Sequence, residues 1–494
     1  MPGAPPTRPT IHTSPDLLQA FLSDAAHVPG GHASGVAFPA SAAEVSALVA
    51  TASTVLPVGA QSSLTGGATP RGEVILSTRA LNGIGVPGDG EVRVGAGVPL
   101  KTLQATLAAQ QLYYPPVPTF DGAFAGGTVA TNAAGAATFK YGSTRDWVAA
   151  LTVVLASGEI VSLRRGEARA ESRVPVPSYR MPTVAKLSAG YFASPGMDLV
   201  DLFIGSEGSL GVIVDATLRV IPRPLTCTSL IQCTDEEQAL ALTAALREEA
   251  RRAWRGEGPL DVAAVEYMDS RSLRYAGAAA FARAGVQAPS AGEVLLLVQI
   301  EVPESESAAL ARFAEVLAEC GIDRDPIVAQ PGDAAASARL FELREAVPAG
   351  VNATIGARKQ REPRLQKTAG DMVVPFERLP DSLALYRRTF ESRGLEYAVW
   401  GHVSDGNLHP NVIPASVEDV ERGVEAIREI GREVVRMGGA PLAEHGVGRS
   451  PLKQALLRDL YGTSGIEEMR AVKRALDPTW KLAPGVLFPT PGRG

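Results

Sequence analysis

Hydrophobic positions along this chain follow two rhythms. Helical spacing, with apolar residues returning every three or four positions, marks Ser41–Ala52, Asp235–Arg252, Ser305–Cys320 and Val417–Met437, and a short helix is expected around Asp16–Ala26. Short apolar runs bounded by Gly, Pro and Asp read as strands at Val55–Val58, Val74–Ser77, Glu91–Gly95, Leu151–Leu155, Val212–Ile221, Val294–Val302 and Glu396–Trp400. The punctuation Pro222-Arg223-Pro224 separates a strand-rich α/β part from an α+β part in which long helices alternate with strands. The pattern predicts a lead-in over 1–32, one domain over 33–223 and a second over 224–489. A Ser/Arg/Pro-rich run, Arg164–Pro182, reads as a surface excursion, and the charged run Arg247–Arg255 as a solvated helix face.

Composition narrows the class. The 494 residues are 45% hydrophobic and 20% charged, ordinary for a globular protein. A formal net charge of -6, with Lys and Arg spread along the chain, gives no basic surface for nucleic acid. Three cysteines without a Cys-x-x-Cys pair argue against a disulfide framework, a zinc ribbon or an iron–sulfur cluster. No signal peptide is expected, and no apolar run approaches the ~20 residues of a membrane span. The expectation is a cytoplasmic protein, free or peripheral at the inner face of the membrane.

Candidate chemistry concentrates in Gly401-His402-Val403-Ser404-Asp405-Gly406-Asn407-Leu408-His409. Asp-Gly between strand-like residues predicts a two-residue hairpin turn, with His402 directly opposite His409 on one face of the ribbon. Two imidazoles so placed can grip one metal ion or one small polar substrate, or hydrogen-bond within a packed hairpin. Further on, Ala443-Glu444-His445-Gly446-Val447-Gly448 offers a carboxylate and a third imidazole beside flexible glycines.

Three loops are built from small residues. Pro57-Val58-Gly59-Ala60-Gln61-Ser62-Ser63-Leu64-Thr65-Gly66-Gly67 follows a strand and can present successive backbone N–H groups to a phosphate, although it is neither a Walker loop nor a Rossmann fingerprint. Ala125–Gly135 has almost no bulk, which wastes core volume unless a flat cofactor packs against it. The third, Asp201-Leu202-Phe203-Ile204-Gly205-Ser206-Glu207-Gly208-Ser209-Leu210-Gly211, precedes a β-rich run.

In this order the three loops resemble the FAD-binding half of the vanillyl-alcohol oxidase flavoprotein family. Gly401–Asn411, Glu444–Gly448 and the tail Asp477-Pro478 to Leu482-Ala483-Pro484-Gly485 resemble the branch holding D-lactate dehydrogenase, D-2-hydroxyglutarate dehydrogenase and the glycolate oxidase flavin subunit. The resemblance, over about residues 33 to 489, implies an α+β protein: an FAD-binding domain of two α/β subdomains, a cap built on an antiparallel sheet flanked by helices, and a C-terminal segment returning to the FAD domain. It implies that Pro57, Gly59, Ala60, Gln61, Ser62, Ser63 and Gly66 wrap the FAD pyrophosphate. Gly126, Gly127, Thr128, Thr131, Asn132 and Gly135 would line the flavin, and Gly208, Gly211, Val212 and Ile213 the adenine side. Ala60 and Gln61 stand where many members carry Gly.

The resemblance further implies that His402, His409 and Glu444 bind a metal and that His445 is the general base. Arg344 and Lys367 would hold the substrate carboxylate, with Tyr191 at the cap entrance. Taken from the residues alone, Arg344 could be a helix-surface ion pair, Lys367 a snorkelling lysine and Tyr191 a core aromatic. Imidazole with carboxylate suits Zn²⁺, with Mn²⁺ and Fe²⁺ as alternatives. Histidine titrates near neutrality, so His445 needs no large shift to accept a proton. Neither His nor Cys occurs in the three loops, so FAD is expected to be non-covalent.

The expected reaction is oxidation of a small D-2-hydroxy acid, hydride to flavin and proton to His445. Electrons would leave to quinone, a carrier flavoprotein, an iron–sulfur subunit or O₂, and a homodimer is compatible with all of this. One rival is the non-redox alkylglycerone-phosphate synthase branch, against which the single histidine after Glu444 argues. The other is a flavin-binding electron-transfer subunit, for which the His402/His409/Glu444/His445 set has no evident use.

Overall fold

A computed structural model describes residues 8–116, 118–302 and 306–490. The first seven residues of the expected lead-in and Ser305, where one helix was expected to begin, lie outside the described residues. The first part holds three small sheets, one of them the two-stranded pair Leu112–Tyr113 and Ile221–Pro222. Gly35–Ala37, Val74–Ser77 and Val55–Val58 form a parallel three-stranded sheet in that order. Glu91–Gly95, Val212–Arg219, Val148–Val154 and Ile160–Arg164 form an antiparallel four-stranded sheet. The helix Ala42–Thr51 begins at Ser41, whose side chain accepts the Glu44 N–H and so satisfies one of the orphan donors of the first turn. The expected Asp16–Ala26 helix is reduced to Pro15–Gln19, a segment with no buried residue to hold a longer one.

From Thr226 the chain builds an eight-stranded antiparallel sheet. Its order is Ile327–Ala329, Thr226–Cys233, Val294–Glu301, Asp261–Asp269, Tyr397–His402, Asn407–Val412 and Thr368–Ala369, with Met372–Val373 also paired to Asn407–Val412. The helices Glu236–Trp254, Ala334–Lys359 and Val417–Arg436 bury their apolar residues in this half. The tail returns to the first half: Ala483 N bonds Val55 O, and the buried Lys473 ammonium bonds Ser209 O, Leu482 O and Asp477. This tie places the catalytic candidates, all on 402–448, against the loops of the first half.

Candidate active site

The hairpin register differs from the expected one. His402 pairs with Asn407 and Trp400 with His409, across a four-residue loop whose first three residues form a 3₁₀ turn. Tertiary bonds take the loop residues out of strand pairing. Ser404 Oγ accepts Val265 N at 3.0 Å, and Asp405 pairs with Lys186 at 2.9 Å while capping Asn407 N. Gly406 closes the loop at φ 82°, where a Cβ would lie 2.1 Å from Val374 O. The two histidines are therefore diagonal, two positions apart in register, and still share a face with ring centroids 5.6 Å apart.

Three imidazoles converge on one carboxylate oxygen. Glu444 Oε1 lies 3.4 Å from His402 Nε2, 3.3 Å from His409 Nε2 and 3.5 Å from His445 Nε2. The opposite nitrogens face other carboxylates. His402 Nδ1 bonds Glu266, whose second oxygen takes Arg344 Nε at 2.7 Å. His409 Nδ1 and His445 Nδ1 lie 3.6 and 3.3 Å from the two oxygens of Asp371. Asp371 is fully buried, and its Oδ2 also accepts the backbone N–H groups of Glu444 and His445 at 2.9 Å. One ligand atom each of Asp371, His409, Glu444 and His445 falls within 4.8 Å of the others.

Charge dominates this region. The buried carboxylates Glu266, Asp371, Asp405 and Glu444 face the buried cations Arg344, Lys186 and Lys453 and the His402 imidazole. Burial alone would depress His402, but the Glu266 carboxylate overrides it and raises the imidazole to about 9. Burial would likewise raise Glu444, yet Lys186 (3.0 Å) and His402 hold it well below the usual range. Burial lowers His445 to about 4 against the pull of Asp371 and Glu444, so it is a neutral imidazole at pH 7 rather than one titrating near neutrality. Lys453 Nζ is buried with no hydrogen-bond partner among the described residues, facing Asp371, Glu444 and Glu207.

The small-residue loops meet beside this cluster. A Cβ on Gly59 would lie 3.7 Å from Phe124 Cβ and 4.0 Å from Gly127 Cα, and one on Gly208 would lie 3.3 Å from Pro57. Gly205 N bonds Val129 O and Glu207 N bonds Ala130 O, laying the third loop on the second. The backbone N–H groups of Ala60, Gln61, Ser62 and Ser63 find no acceptor among the described residues, and a Cβ on Gly127 would project into open space. Such a run of unclaimed donors beside a side-chain-free wall suits the phosphates and flat ring of FAD. Gln61, in the Gly-rich position, takes φ 57°, and its side chain donates to Ala20 O and Ser23 O at 3.0 and 2.8 Å. Ser63 Oγ accepts the N–H groups of Thr65 and Gly67, and Asn132, at φ 48°, bonds Leu187 O and Arg145 N. Thr128 and Thr131 turn their hydroxyls onto Ala125 O and Gly127 O; Gly211, Val212 and Ile213 are buried at the strand entry.

The substrate candidates separate. Arg344 is buried rather than on a helix surface, with Nε on Glu266 and Nη1 3.3 Å from Glu345. Lys367 is exposed, donating to Asn352 Oδ1 at 3.2 Å with its ammonium 5.5 Å from the Trp400 ring centroid. Tyr191 is not at an entrance: it is fully buried, its hydroxyl 2.8 Å from Ser209 Oγ and its ring edge-on to Phe488. Asp371, Glu266, Lys186, Lys453 and Glu207 escaped the sequence reading. Glu266 had a signal, a lone acid inside the apolar run Val262–Met268.

Residues 33–164 match the FAD binding domain family and residues 226–487 match the C-terminal domain of FAD linked oxidases. The chain is 32% identical to D-2-hydroxyglutarate dehydrogenase of Xanthomonas citri pv. viticola, covering 92% of this chain and 89% of that one. It is 30% identical to D-lactate dehydrogenase of Archaeoglobus fulgidus (90% and 89%) and 28% identical to glycolate oxidase subunit GlcD of Bacillus subtilis (88% and 83%). Among solved structures, 4-ethylphenol oxidase from Gulosibacter chungangensis shares the fold at TM-score 0.68 and 16% identity, over 98% of this chain and 95% of that one. Alkyldihydroxyacetonephosphate synthase does so at 0.61 and 15%, over 91% and 75%.

Proposed function

This chain belongs to the FAD linked oxidases, and from that membership we propose an FAD-dependent dehydrogenase of small D-2-hydroxy acids, with His445 as base and a divalent ion on His402, His409 and Glu444. The convergence of three imidazole Nε2 atoms on Glu444 Oε1 at 3.3–3.5 Å carries the reading. Donors about 2.0–2.1 Å from one ion in tetrahedral array lie about 3.3 Å from each other. A divalent ion would take the place of the proton that the Glu266 carboxylate otherwise favours on His402.

Two ligand sets share His409 and Glu444: the proposed one adds His402, and the other, whose ligand atoms all lie within 4.8 Å of one another, adds Asp371 and His445. The first is favoured because Asp371 Oδ2 already accepts two backbone N–H groups, and because Glu266 on Nδ1 leaves His402 Nε2 for the ion. His445 is then a neutral imidazole with Nδ1 toward Asp371, and its Nε2, 3.5 Å from Glu444 Oε1, is the atom that would take the hydroxyl proton. Bound FAD would supply the hydride acceptor for C2, and an ion on His402, His409 and Glu444 would supply a Lewis acid for the hydroxyl. Lys367 offers the substrate carboxylate an ammonium that bonds Asn352 Oδ1, while Arg344 holds Glu266 and through it the His402 ring.

Among the described residues no helix is long and apolar enough to cross a membrane. Electrons leave to an external acceptor: quinone, a carrier flavoprotein or an iron–sulfur subunit.

Anaerobic titration of purified yellow protein with D- and L-2-hydroxy acids is the test. Bleaching by a D-acid (lactate, glycolate or 2-hydroxyglutarate as probes) is expected, slowed about 10²–10⁴-fold by His445→Ala with FAD retained. Elemental analysis should find about one divalent ion per chain, lost in His402→Ala/His409→Ala and kept in Asp371→Asn. A wild-type flavin that no D-acid bleaches would sink the reading.

A further inference from the structure

The loop carrying His445 is held by two carboxylates, one from each half of the molecule. On the cap side Asp371 takes the N–H groups of Glu444 and His445. On the other side Glu207 Oε1 accepts Val447 N and Oε2 accepts Gly448 N, both at 2.8 Å. Between them Gly446 sits at φ 71°, where a Cβ would lie 2.9 Å from Glu207 Oε1, so the backbone passes in contact with the carboxylate.

Glu207 is itself fixed to the small-residue tract. It occupies a left-handed turn at φ 51°, a conformation costly for a residue with a side chain. Its N–H is bound to Ala130 O at 2.8 Å, two residues after Gly205 N bonds Val129 O. A short chain of contacts thus runs from the tract Ala125–Gly135 through the Glu207 carboxylate to the backbone two and three residues past His445.

We infer that Glu207 is a positioning residue, fixing His445 relative to the flavin-binding tract by gripping the Val447 and Gly448 N–H groups. The inference rests on the assignment of His445 as base. Truncating Glu207 removes a bidentate acceptor and frees the loop to drift. Displacement of a base by about 1 Å costs on the order of 10²-fold in rate without weakening substrate binding. Gln at this position keeps one acceptor and turns an NH₂ against the other N–H, so its effect is intermediate.

The test is a mutant cycle on the FAD-loaded protein, read by anaerobic single-turnover flavin reduction with whichever D-acid bleaches the wild type. Glu207→Ala should slow reduction about 10–100-fold, Glu207→Gln less, with half-saturation changed under about 3-fold and FAD content unchanged. In the His445→Ala background Glu207→Ala should add nothing, because a positioning effect vanishes with the group it positions. Amide hydrogen exchange without substrate gives a second arm: Val447 and Gly448 should exchange faster in both variants. If no acid bleaches the wild type, the functional reading falls while the exchange arm still judges the anchor. Additive losses, unchanged exchange, or loss of FAD from both variants would overturn the inference.

Discussion

Where the Pro57–Gly67, Ala125–Gly135 and Gly205–Gly211 loops meet, the wall is mostly backbone, and the consecutive N–H groups of Ala60 to Ser63 find no acceptor among the described residues. Around His402, His409 and Glu444 buried ionisable side chains cluster, with Lys186 paired to Asp405 and Glu444 and with Glu266 paired to Arg344 and His402. The first region prepares for a ligand by leaving out side chains, which costs little when the ligand is missing. The second balances charge against charge out of water, where removing any one member leaves a partner stranded. The flavin side should therefore be sensitive to added bulk, and the cap side to deleted charge.

Deleting a charge gives the largest expected effect. Lys186 is fully buried in contact with Asp405 Oδ2 (2.9 Å), Glu444 Oε2 (3.0 Å) and Gly135 O (3.2 Å). Lys186→Met strands two carboxylates and should lower unfolding free energy by about 3–5 kcal/mol, measured by urea denaturation. Adding Asp405→Asn should recover part of the loss. A single variant as stable as the wild type would show that the cap-side charges are solvated, erasing the contrast.

Adding bulk tests the other side. Gly127→Leu places a side chain where no atom lies within 4 Å of the Cβ, inside the helix Ala125–Ala130. The expected outcome is an intact fold, by thermal unfolding and circular dichroism, with FAD occupancy sharply reduced by the flavin-to-protein absorbance ratio. Full occupancy would mean that the tract faces something other than the cofactor.

The two regions also differed in how far sequence could describe them. The small-residue loops are local signals, each contiguous, and the fold then brings them together. On the cap side the imidazoles were visible, but their partners come from far along the chain: Glu266 is 136 residues from His402, and Asp371 is 74 from His445. Nothing local marks an acid that will be buried beside a histidine. Asp405 was read as a turn residue because Asp-Gly favours a two-residue turn, whereas its tie to Lys186 holds a longer loop open and moves the register by two. The central strands Thr226–Cys233 and Asp261–Asp269 went unrecognised, since buried on both faces they lack the alternation that betrays a half-exposed strand. Tyr191 shows the converse, a local motif whose side chain packs inward onto Phe488.

The smallest effect is expected at Gln61, where the flavin side departs from its own rule by carrying a side chain in a left-handed backbone. That conformation costs about 1–2 kcal/mol for an L-residue. The Gln61 Nε2 bonds to Ala20 O and Ser23 O offset it at about 0.5–1.5 kcal/mol each. Gln61→Ala keeps the strain and forfeits both bonds, so it should destabilise by about 1–3 kcal/mol. Gln61→Gly forfeits the same bonds but relieves the strain. Its extra freedom in the unfolded chain, about 0.5–1 kcal/mol, takes back part of that gain, leaving it up to about 1.5 kcal/mol more stable than the Ala variant. Denaturation midpoints of the two variants read the difference directly, with FAD removed so that ligand binding does not contribute. Equal midpoints for Ala and Gly would mean the backbone relaxes out of the left-handed region once the amide is gone. The loop would then be held in shape by the Gln61 side chain, and the flavin side would depend on a side chain as the cap side does.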